Sequence, residues 1–266
     1  MYDVFTLSHA ETAGRERVVS TVLLLHAGIA DSRMWRPQIA VLEAAGHRVL
    51  APDLRGFGQR ELEPAPFSYL RDTEALLDDP AVVVGCSLGG RVALELAVHR
   101  PGLVERLVLI APGLPGWDWS TETRAGWAEE EAAVTRGDVE AAAEASLRMW
   151  VDGPRRSPEQ VDPVMRSAVR AMVLRSYELQ QHAWEAGARE EDILDPPVNR
   201  RLGEVLCPTL VLVGAEDLTD MHAIAAHVTD SVRGARLITI PNTAHLPSLE
   251  RADEVNTLLL AFLSSR

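Results

Sequence analysis

Three polar residues, Ser87, Asp217 and His245, are the best candidates for chemistry in this sequence, because each comes shortly after a predicted strand. A serine hydroxyl is a weak nucleophile at neutral pH, so it needs a general base to take its proton and a carboxylate to orient that base. Active groups gather beyond the carboxyl ends of the strands in open α/β sheets, where His245 and Asp217 would supply these two roles. Glu216 and Asp220 are close enough in sequence to compete with Asp217. The set predicts nucleophilic attack on a carbonyl carbon.

Ser87 lies in the stretch VVVGCSLGGRVALEL, residues 82–96, which predicts a strand, a sharp turn and a helix. Three β-branched valines favour a buried strand, and apolar residues at helical spacing continue to residue 99. The turn has the pattern G-x-S-x-G, which also occurs by chance, but its small flanking residues let strand and helix approach each other. The serine hydroxyl would then be held clear of neighbouring side chains.

A negatively charged oxygen forms when Ser87 attacks a carbonyl, and backbone N–H groups are the natural donors to it. We expect one donor to be the N–H of Leu88, at the start of the predicted helix. The other should come from the loop after the predicted strand at residues 22–25, with Gly28 as the first choice and Ile29 as the second.

Strands and helices alternate along most of the chain, which predicts an α/β fold with a mostly parallel central sheet of about eight strands and helices on both faces. The predicted strands, of which the first two form a hairpin, are residues 4–7, 17–21, 22–25, 48–51, 82–84, 107–111, 209–214 and 236–240. The predicted helices of this alternating part are residues 34–45, 67–77, 88–99, 221–228 and 252–263.

The alternation stops between about residue 112 and about residue 203, where no strand of the same quality is found. Three charged helical stretches occupy this part of the chain, at residues 122–136, 139–150 and 159–185. We therefore predict a core made of residues 1–111 and 204–266, with residues 112–203 inserted after the sixth strand as a helical cap.

Five of the six tryptophans fall inside the predicted cap. Large apolar side chains in a lid that adds little to the main core are typical of a cover over a ligand pocket, although any single one is more simply explained by packing within the lid. The candidate pocket residues are Ile29, Trp117, Trp119, Trp150, Trp184 and Leu246.

The composition excludes several classes of function. The 266-residue chain has a formal net charge of −13, and all 26 basic residues are arginine. Schiff-base catalysis and lysine-dependent phosphate loops are therefore excluded, and no basic face predicts nucleic-acid binding.

The two cysteines, Cys86 and Cys207, form no disulfide framework, and no Cys/His spacing predicts a metal site. Without a long apolar run or a visible signal peptide we expect no membrane association and a cytoplasmic location. Nothing indicates an oligomeric state.

Five segments in chain order resemble the α/β-hydrolase fold superfamily: LLLHAG, PDLRGFG, VVVGCSLGG, LVLVGAED and IPNTAH. They cover nearly the whole chain outside the predicted cap, and they are similar in particular to the lid-bearing branch of carboxylesterases, enol-lactonases, C–C hydrolases and non-haem haloperoxidases. The order serine, acid, histidine is that of the superfamily's triad. The resemblance implies Ser87 as nucleophile, His245 as base, Asp217 as its orienter, and the N–H groups of Leu88 and Gly28 as oxyanion donors. It implies no cofactor.

From these residues we expect a serine hydrolase that cleaves an ester or lactone of a small to medium-sized apolar substrate, through an acyl-enzyme on Ser87 and without a cofactor. Epoxide hydrolases and haloalkane dehalogenases of this fold use an aspartate at the nucleophile position, so they do not fit. Two alternatives stay open. One is a C–C bond hydrolase or lyase with the same triad, and the other is a small-molecule receptor built on this fold.

Overall fold

The computed structural model describes residues 19–63, 65–185 and 191–265, apart from the side chains of residues 182 and 184. Within these ranges six strands form one sheet, and every pair of neighbouring strands is parallel. In chain order the strands are β1 (Thr21–Leu25), β2 (Arg48–Leu50), β3 (Ala81–Cys86), β4 (Val104–Ile110), β5 (Thr209–Gly214) and β6 (Arg236–Ile240). Their order across the sheet is β2-β1-β3-β4-β5-β6, which confirms the predicted α/β class.

The predicted count of eight strands differs from the six observed because it includes the hairpin at residues 4–7 and 17–21. Residues 4–7, 17 and 18 lie outside the described part of the chain. Val19 and Ser20 form no strand, and Thr21 instead begins β1. The other six predicted strands are present. The helices inserted after the predicted sixth strand therefore follow β4.

The described ranges contain nine α-helices: α1 (Arg36–Ala44), α2 (Tyr69–Glu74), α3 (Leu88–His99), α4 (Thr121–Thr135), α5 (Val139–Leu147), α6 (Pro163–Glu185), α7 (Thr219–Ser231), α8 (Pro247–Glu250) and α9 (Ala252–Ser264). None of them combines the length and the apolar character that crossing a bilayer needs. The predicted helix at residues 139–150 is α-helical only to Leu147, because a single π-helical turn, Arg148–Asp152, follows α5. The helix predicted at residues 159–185 is α-helical only from Pro163, after a 3₁₀ turn, Pro158–Gln160. The helix predicted at residues 67–77 is shorter, and residues 32–35 form a 3₁₀ turn before α1.

Apolar side chains cover both faces of the sheet. Successive strand residues point to opposite faces, so Leu23 and Leu25 of β1 pack with residues of α3 and α7, whereas Val22 and Leu24 pack with residues of α1 and α9. A strand that is buried on both faces has no polar side to show, which explains the unbroken apolar runs in the sequence.

The parallel register brings the carboxyl ends of the strands to one edge of the sheet. Leu25 of β1 pairs with Gly85 of β3, and Gly214 of β5 pairs with Ile240 of β6. Ser87 follows β3 directly, so the loops after β1, β5 and β6 start beside it. This edge is where side chains from distant parts of the sequence can meet.

Helices α4, α5 and α6 lie between β4 and β5 in the chain, and we refer to them as the inserted helices. Asp220 in α7 anchors the first turn of α4, the first of these helices. Its carboxylate accepts the Ser120 N–H (3.2 Å), the Ser120 hydroxyl (2.5 Å), the Thr123 hydroxyl and the indole N–H of Trp117 (3.3 Å). The division into a core and a cap of residues 112–203 stays a prediction.

His26 connects the loop after β1 to the loop after β2. Its ring is fully buried, Nδ1–H donates to the carbonyl of Ala27 (2.8 Å), and Nε2 accepts the N–H of Leu54 (2.9 Å). Because Nε2 accepts a hydrogen bond, the ring is neutral and carries its proton on Nδ1. Burial lowers the pKa of His26 below the ordinary histidine value.

We expect His26 to make folding less favourable as the pH falls. The unfolded chain binds a proton on this histidine at its ordinary pKa of about 6.5, whereas the folded chain binds it only at the lower, folded-state pKa. As the pH falls from the unfolded-state pKa to the folded-state pKa, the free energy of unfolding therefore decreases by up to about 1.4 kcal/mol per pH unit. Urea unfolding of wild type and His26→Gln at pH values from about 7 to about 5 measures this, because other titrating groups cancel in the difference. The stability advantage of wild type should shrink as the pH falls; a constant advantage would contradict the neutral buried ring.

Candidate active site

Ser87 sits on a strained turn between β3 and α3. Its φ of 51° and ψ of −110° lie outside the regions that a serine normally adopts, at a cost of about 1–3 kcal/mol. Hydrogen bonds on both sides hold this backbone: the Ser87 N–H donates to Ile110 (2.9 Å), and the Ser87 carbonyl accepts the N–H groups of Arg91 (2.9 Å) and Gly113 (2.9 Å). The strain is therefore balanced by contacts with β4, with the loop after it and with α3.

Two glycines make the close approach of strand and helix possible. A Cβ atom on Gly85 would lie 2.2 Å from the carbonyl oxygen of Gly89, and one on Gly89 would lie 2.1 Å from the carbonyl oxygen of Leu25. Both neighbours are backbone atoms held in the sheet or in α3, so they cannot move aside. The predicted strand, turn and helix are thus present, with glycine required at both positions.

We expect Gly85→Ala to lower the free energy of unfolding by about 3 kcal/mol or more, because overpacking against backbone forces the strand and helix apart. Gly102→Ala is the matched control: a Cβ there meets nothing within 4 Å, and its effect should stay within about 0.5 kcal/mol. Urea unfolding of both variants tests this, and equal stabilities would show that the turn can relax around an added methyl group.

Asp217 and His245 form a buried pair in the loops after β5 and β6. The Nδ1–H of His245 donates to Oδ2 of Asp217 (2.9 Å), and the N–H of Leu218 donates to Oδ1 (2.8 Å). Both side chains are 1% exposed. A carboxylate only accepts hydrogen bonds, so Nδ1 of His245 carries a proton, and in the neutral ring the lone pair lies on Nε2.

Trp150 fixes the position of His245. Its ring lies 4.4 Å from the imidazole ring, measured between centroids, and its carbonyl accepts the backbone N–H of His245 (3.2 Å). The π-helical turn at the end of α5 presents Trp150 in this way, a turn type that is often found at functional sites.

Ser87 and His245 line the same cavity. Within the described ranges neither the Ser87 hydroxyl nor Nε2 of His245 has a hydrogen-bond partner, so both are free to engage a molecule in the cavity and each other. Hydrogen bonds between catalytic groups are often loose in an unliganded site and tighten when substrate binds.

The two carboxylates that compete with Asp217 in the sequence have other partners. Glu216 pairs with Arg155 (3.0 Å) at the surface, and Asp220 anchors the inserted helices as described above. Asp217 is the carboxylate that reaches His245.

The N–H groups expected to stabilise an oxyanion lie close to Ser87. A Cβ atom on Gly28 would lie 3.6 Å from Cβ of Leu88, and both residues line the cavity with Ser87. Leu88 begins α3, so its N–H has no acceptor within the helix. In the described part of the chain the N–H groups of Gly28 and Ile29 also have no backbone acceptor, so either could serve as the second donor.

The cavity has a volume of about 800 Å³ and lies between the sheet edge and the inserted helices. Of the six candidate pocket residues, Ile29, Trp119 and Trp150 line it. The side chain of Trp184 lies outside the described part of the structure. Sequence reasoning missed Trp127, Glu130, Glu131, Tyr177 and Gln180, which also line the cavity.

Trp117 and Leu246 are placed away from this cavity. The indole N–H of Trp117 donates to Asp220 (3.3 Å) and its ring packs against that of His227, with 5.7 Å between ring centroids. Leu246 is fully buried in the apolar cluster on the α1 and α9 face of the sheet. Both residues pack within the fold, and neither is among the described residues that line this cavity.

Cys86, next to Ser87, is packed in the core. Its thiol is fully buried and points to the carbonyl of His245 (3.7 Å), and burial raises its pKa. A thiol with a raised pKa is unreactive. No three His, Cys, Asp or Glu side chains of the described residues form a group that could hold a metal ion.

Comparison with known proteins gives matches over nearly the full chain. The family model described as "Alpha/beta hydrolase family" matches residues 22–258. A Variovorax paradoxus protein named as a carbamate hydrolase is 29% identical over 252 residues, 91% of each chain. A Mycobacterium tuberculosis protein named as a non-heme bromoperoxidase is 29% identical over 244 residues, 88% of this chain and 89% of that protein. The solved structure of Est816, described as an N-acyl homoserine lactone degrading enzyme, has a TM-score of 0.72 at 25% identity, covering 91% of this chain and 93% of that one.

Proposed function

This chain belongs to the alpha/beta hydrolase family, and we propose that it is a serine hydrolase that cleaves the carboxylic ester or lactone bond of a small to medium-sized, largely apolar molecule. The observation that carries the proposal is the placement of Ser87 and His245 on one cavity, with His245 held by the buried carboxylate of Asp217. The names of the relatives cover different reactions, so the family alone does not supply the substrate.

In the proposed reaction, Nε2 of His245 takes the hydroxyl proton of Ser87 while Oγ attacks the carbonyl carbon. The resulting oxyanion accepts hydrogen bonds from the N–H groups of Leu88 and Gly28 or Ile29. His245 then passes the proton to the leaving alcohol oxygen as the carbon–oxygen bond breaks, which leaves an acyl group on Ser87.

Water completes the cycle. His245 takes a proton from a water molecule, the hydroxide attacks the acyl carbon, and the proton returns to Oγ of Ser87 as the carboxylic acid leaves. The Asp217 carboxylate stabilises the imidazolium in both half-reactions. Residues 112–203 act as the cap that covers the acyl-enzyme and selects the substrate.

This function is tested by measuring turnover of a substrate panel that contains p-nitrophenyl esters, small lactones and vinylogous diketones. The Ser87→Ala protein serves as the negative control. Turnover of esters or lactones by wild type, together with labelling of Ser87 by a fluorophosphonate, is the expected result. Turnover of the diketones alone would favour a C–C bond hydrolase. Binding of panel members without turnover or labelling would favour a receptor.

A further inference from the structure

A run of aromatic rings leads from His245 into the cavity. The ring centroids of His245 and Trp150 are 4.4 Å apart, those of Trp150 and Trp127 are 6.4 Å apart, and those of Trp127 and Trp119 are 4.9 Å apart. All four residues line the cavity. The face of an indole ring carries negative electrostatic potential, so such a surface attracts cations as well as apolar groups.

Two carboxylates lie beside this run. Glu130 and Glu131 follow Trp127 by three and four positions on α4, so the three side chains share one face of the helix, and all of them line the cavity. The carboxylate of Glu130 accepts the Tyr177 hydroxyl (2.5 Å), a neutral partner. Within the described ranges Glu131 has no hydrogen-bond or ion-pair partner.

Burial raises the pKa of Glu130, because its carboxylate is partly removed from water and no described cation is paired with it. A bound positive charge would compensate for this burial. Among the described residues Glu130 has the Tyr177 hydroxyl as its partner and no salt bridge, so a cation in the cavity would form an ion pair that Glu130 lacks there.

Arg91 is the one arginine among the described residues that line the cavity, and it does not offset these carboxylates. Its guanidinium is matched by two carboxylates of its own, Glu95 (3.2 Å) and Glu191 (2.6 Å). A negatively charged substrate would therefore meet repulsion from Glu130 and Glu131 without a free cation to receive it.

We propose that the preferred substrate is an ester or lactone that carries an alkylated ammonium group, which binds among the rings of Trp119 and Trp127 beside Glu130 and Glu131. This inference rests on the proposed function for its reaction. Methyl groups on an ammonium give it an apolar surface that fits the tryptophans, while its charge is attracted by the ring faces and by the two carboxylates.

Pairs of esters that have the same shape and differ only in charge give the direct test. Acetylcholine and 3,3-dimethylbutyl acetate form one such pair. Homologues with longer linkers, or with the charged group on the acyl side, extend the series. We expect kcat/KM for the cationic member to exceed that of its neutral partner by about tenfold at the best linker length. Equal or better hydrolysis of the neutral members throughout the series would overturn the proposal.

Charge-removing variants locate the effect. Glu131→Gln and Glu130→Gln should each reduce the preference for the cationic ester several-fold, by raising KM for that ester more than KM for the neutral ester. Glutamine at position 130 can still accept the Tyr177 hydroxyl, so the packing of α4 is kept. Glu129→Gln is the matched control, since Glu129 is on the same helix but pairs with Arg148 outside the cavity. A preference that is unchanged in both cavity variants, or reduced equally in the control, contradicts the proposed site.

A binding measurement separates this inference from the proposed reaction. Calorimetry with Ser87→Ala protein compares choline with 3,3-dimethyl-1-butanol, and then repeats the comparison with Glu131→Gln added. Tighter binding of choline that depends on Glu131 supports the cation site even where no ester is cleaved. Equal binding of the two alcohols by a protein that does cleave esters overturns the cation site and leaves the hydrolase proposal standing.

Discussion

Replacing Ser87 by alanine is expected to reduce ester or lactone turnover by at least ~10³-fold while the protein stays folded. The loss follows from the chemistry, because without Oγ no acyl-enzyme forms and His245 has no nucleophile to activate. The fold is kept because alanine and serine have the same Cβ atom, and the Ser87 hydroxyl makes no hydrogen bond among the described residues. Initial rates with the best ester of the panel, together with urea unfolding of both proteins, measure the two effects.

Ser231→Ala is a suitable control for this experiment. Ser231 is the last residue of α7 and does not line the cavity, so its loss should leave kcat/KM within about twofold of wild type. A Ser87→Ala protein that still hydrolyses esters at the wild-type rate would remove the covalent mechanism and leave at most a general-base role for His245. A variant that loses stability as well as activity would mean that the hydroxyl supports the turn.

Local sequence signals were sufficient to predict the strands of the sheet and the turn that carries Ser87. The strands at Thr209–Gly214 and Arg236–Ile240 have the bounds that the sequence predicts, because both are short runs of mostly apolar and β-branched residues between turn residues. The turn is equally local, since Gly85 and Gly89 are required by atoms of the same strand and helix and of the neighbouring strand. Because Asp217 and His245 each follow a predicted strand, their positions along the chain were then sufficient to propose them as the acid and the base.

The lining of the cavity could not be read from the sequence in the same way, because it depends on how the inserted helices are placed on the core. Trp117 and Trp119 look alike in sequence, yet Trp117 binds Asp220 and Trp119 lines the cavity. Glu130 and Glu131 look like residues of a solvated helix face, and only the packing of α4 brings them to the cavity. The change from α-helix to π-helix after α5 could not be predicted from the sequence either, since a π-helical turn continues the same apolar spacing.

The second large effect is expected at Asp217. Asp217→Asn should reduce kcat by up to ~10⁴-fold, which is the size of loss that this change causes in a serine protease triad. The amide NH₂ would face Nδ1 of His245 in place of the carboxylate oxygen, so the ring would take the tautomer with its proton on Nε2. In that tautomer His245 cannot accept the proton of Ser87. Asparagine keeps an oxygen for the Leu218 N–H, so KM and the free energy of unfolding should change far less than kcat.

Glu216→Gln makes this prediction specific to one carboxylate. It removes the same charge one residue away, but Glu216 contacts Arg155 at the surface, and such exposed pairs contribute little. Its kcat should stay within about twofold of wild type. A large loss in Glu216→Gln with a small one in Asp217→Asn would reassign the acid to Glu216 and require the loop after β5 to move when substrate binds. A large loss in both would mean that negative charge in this loop, rather than the hydrogen bond to Nδ1, is what His245 needs.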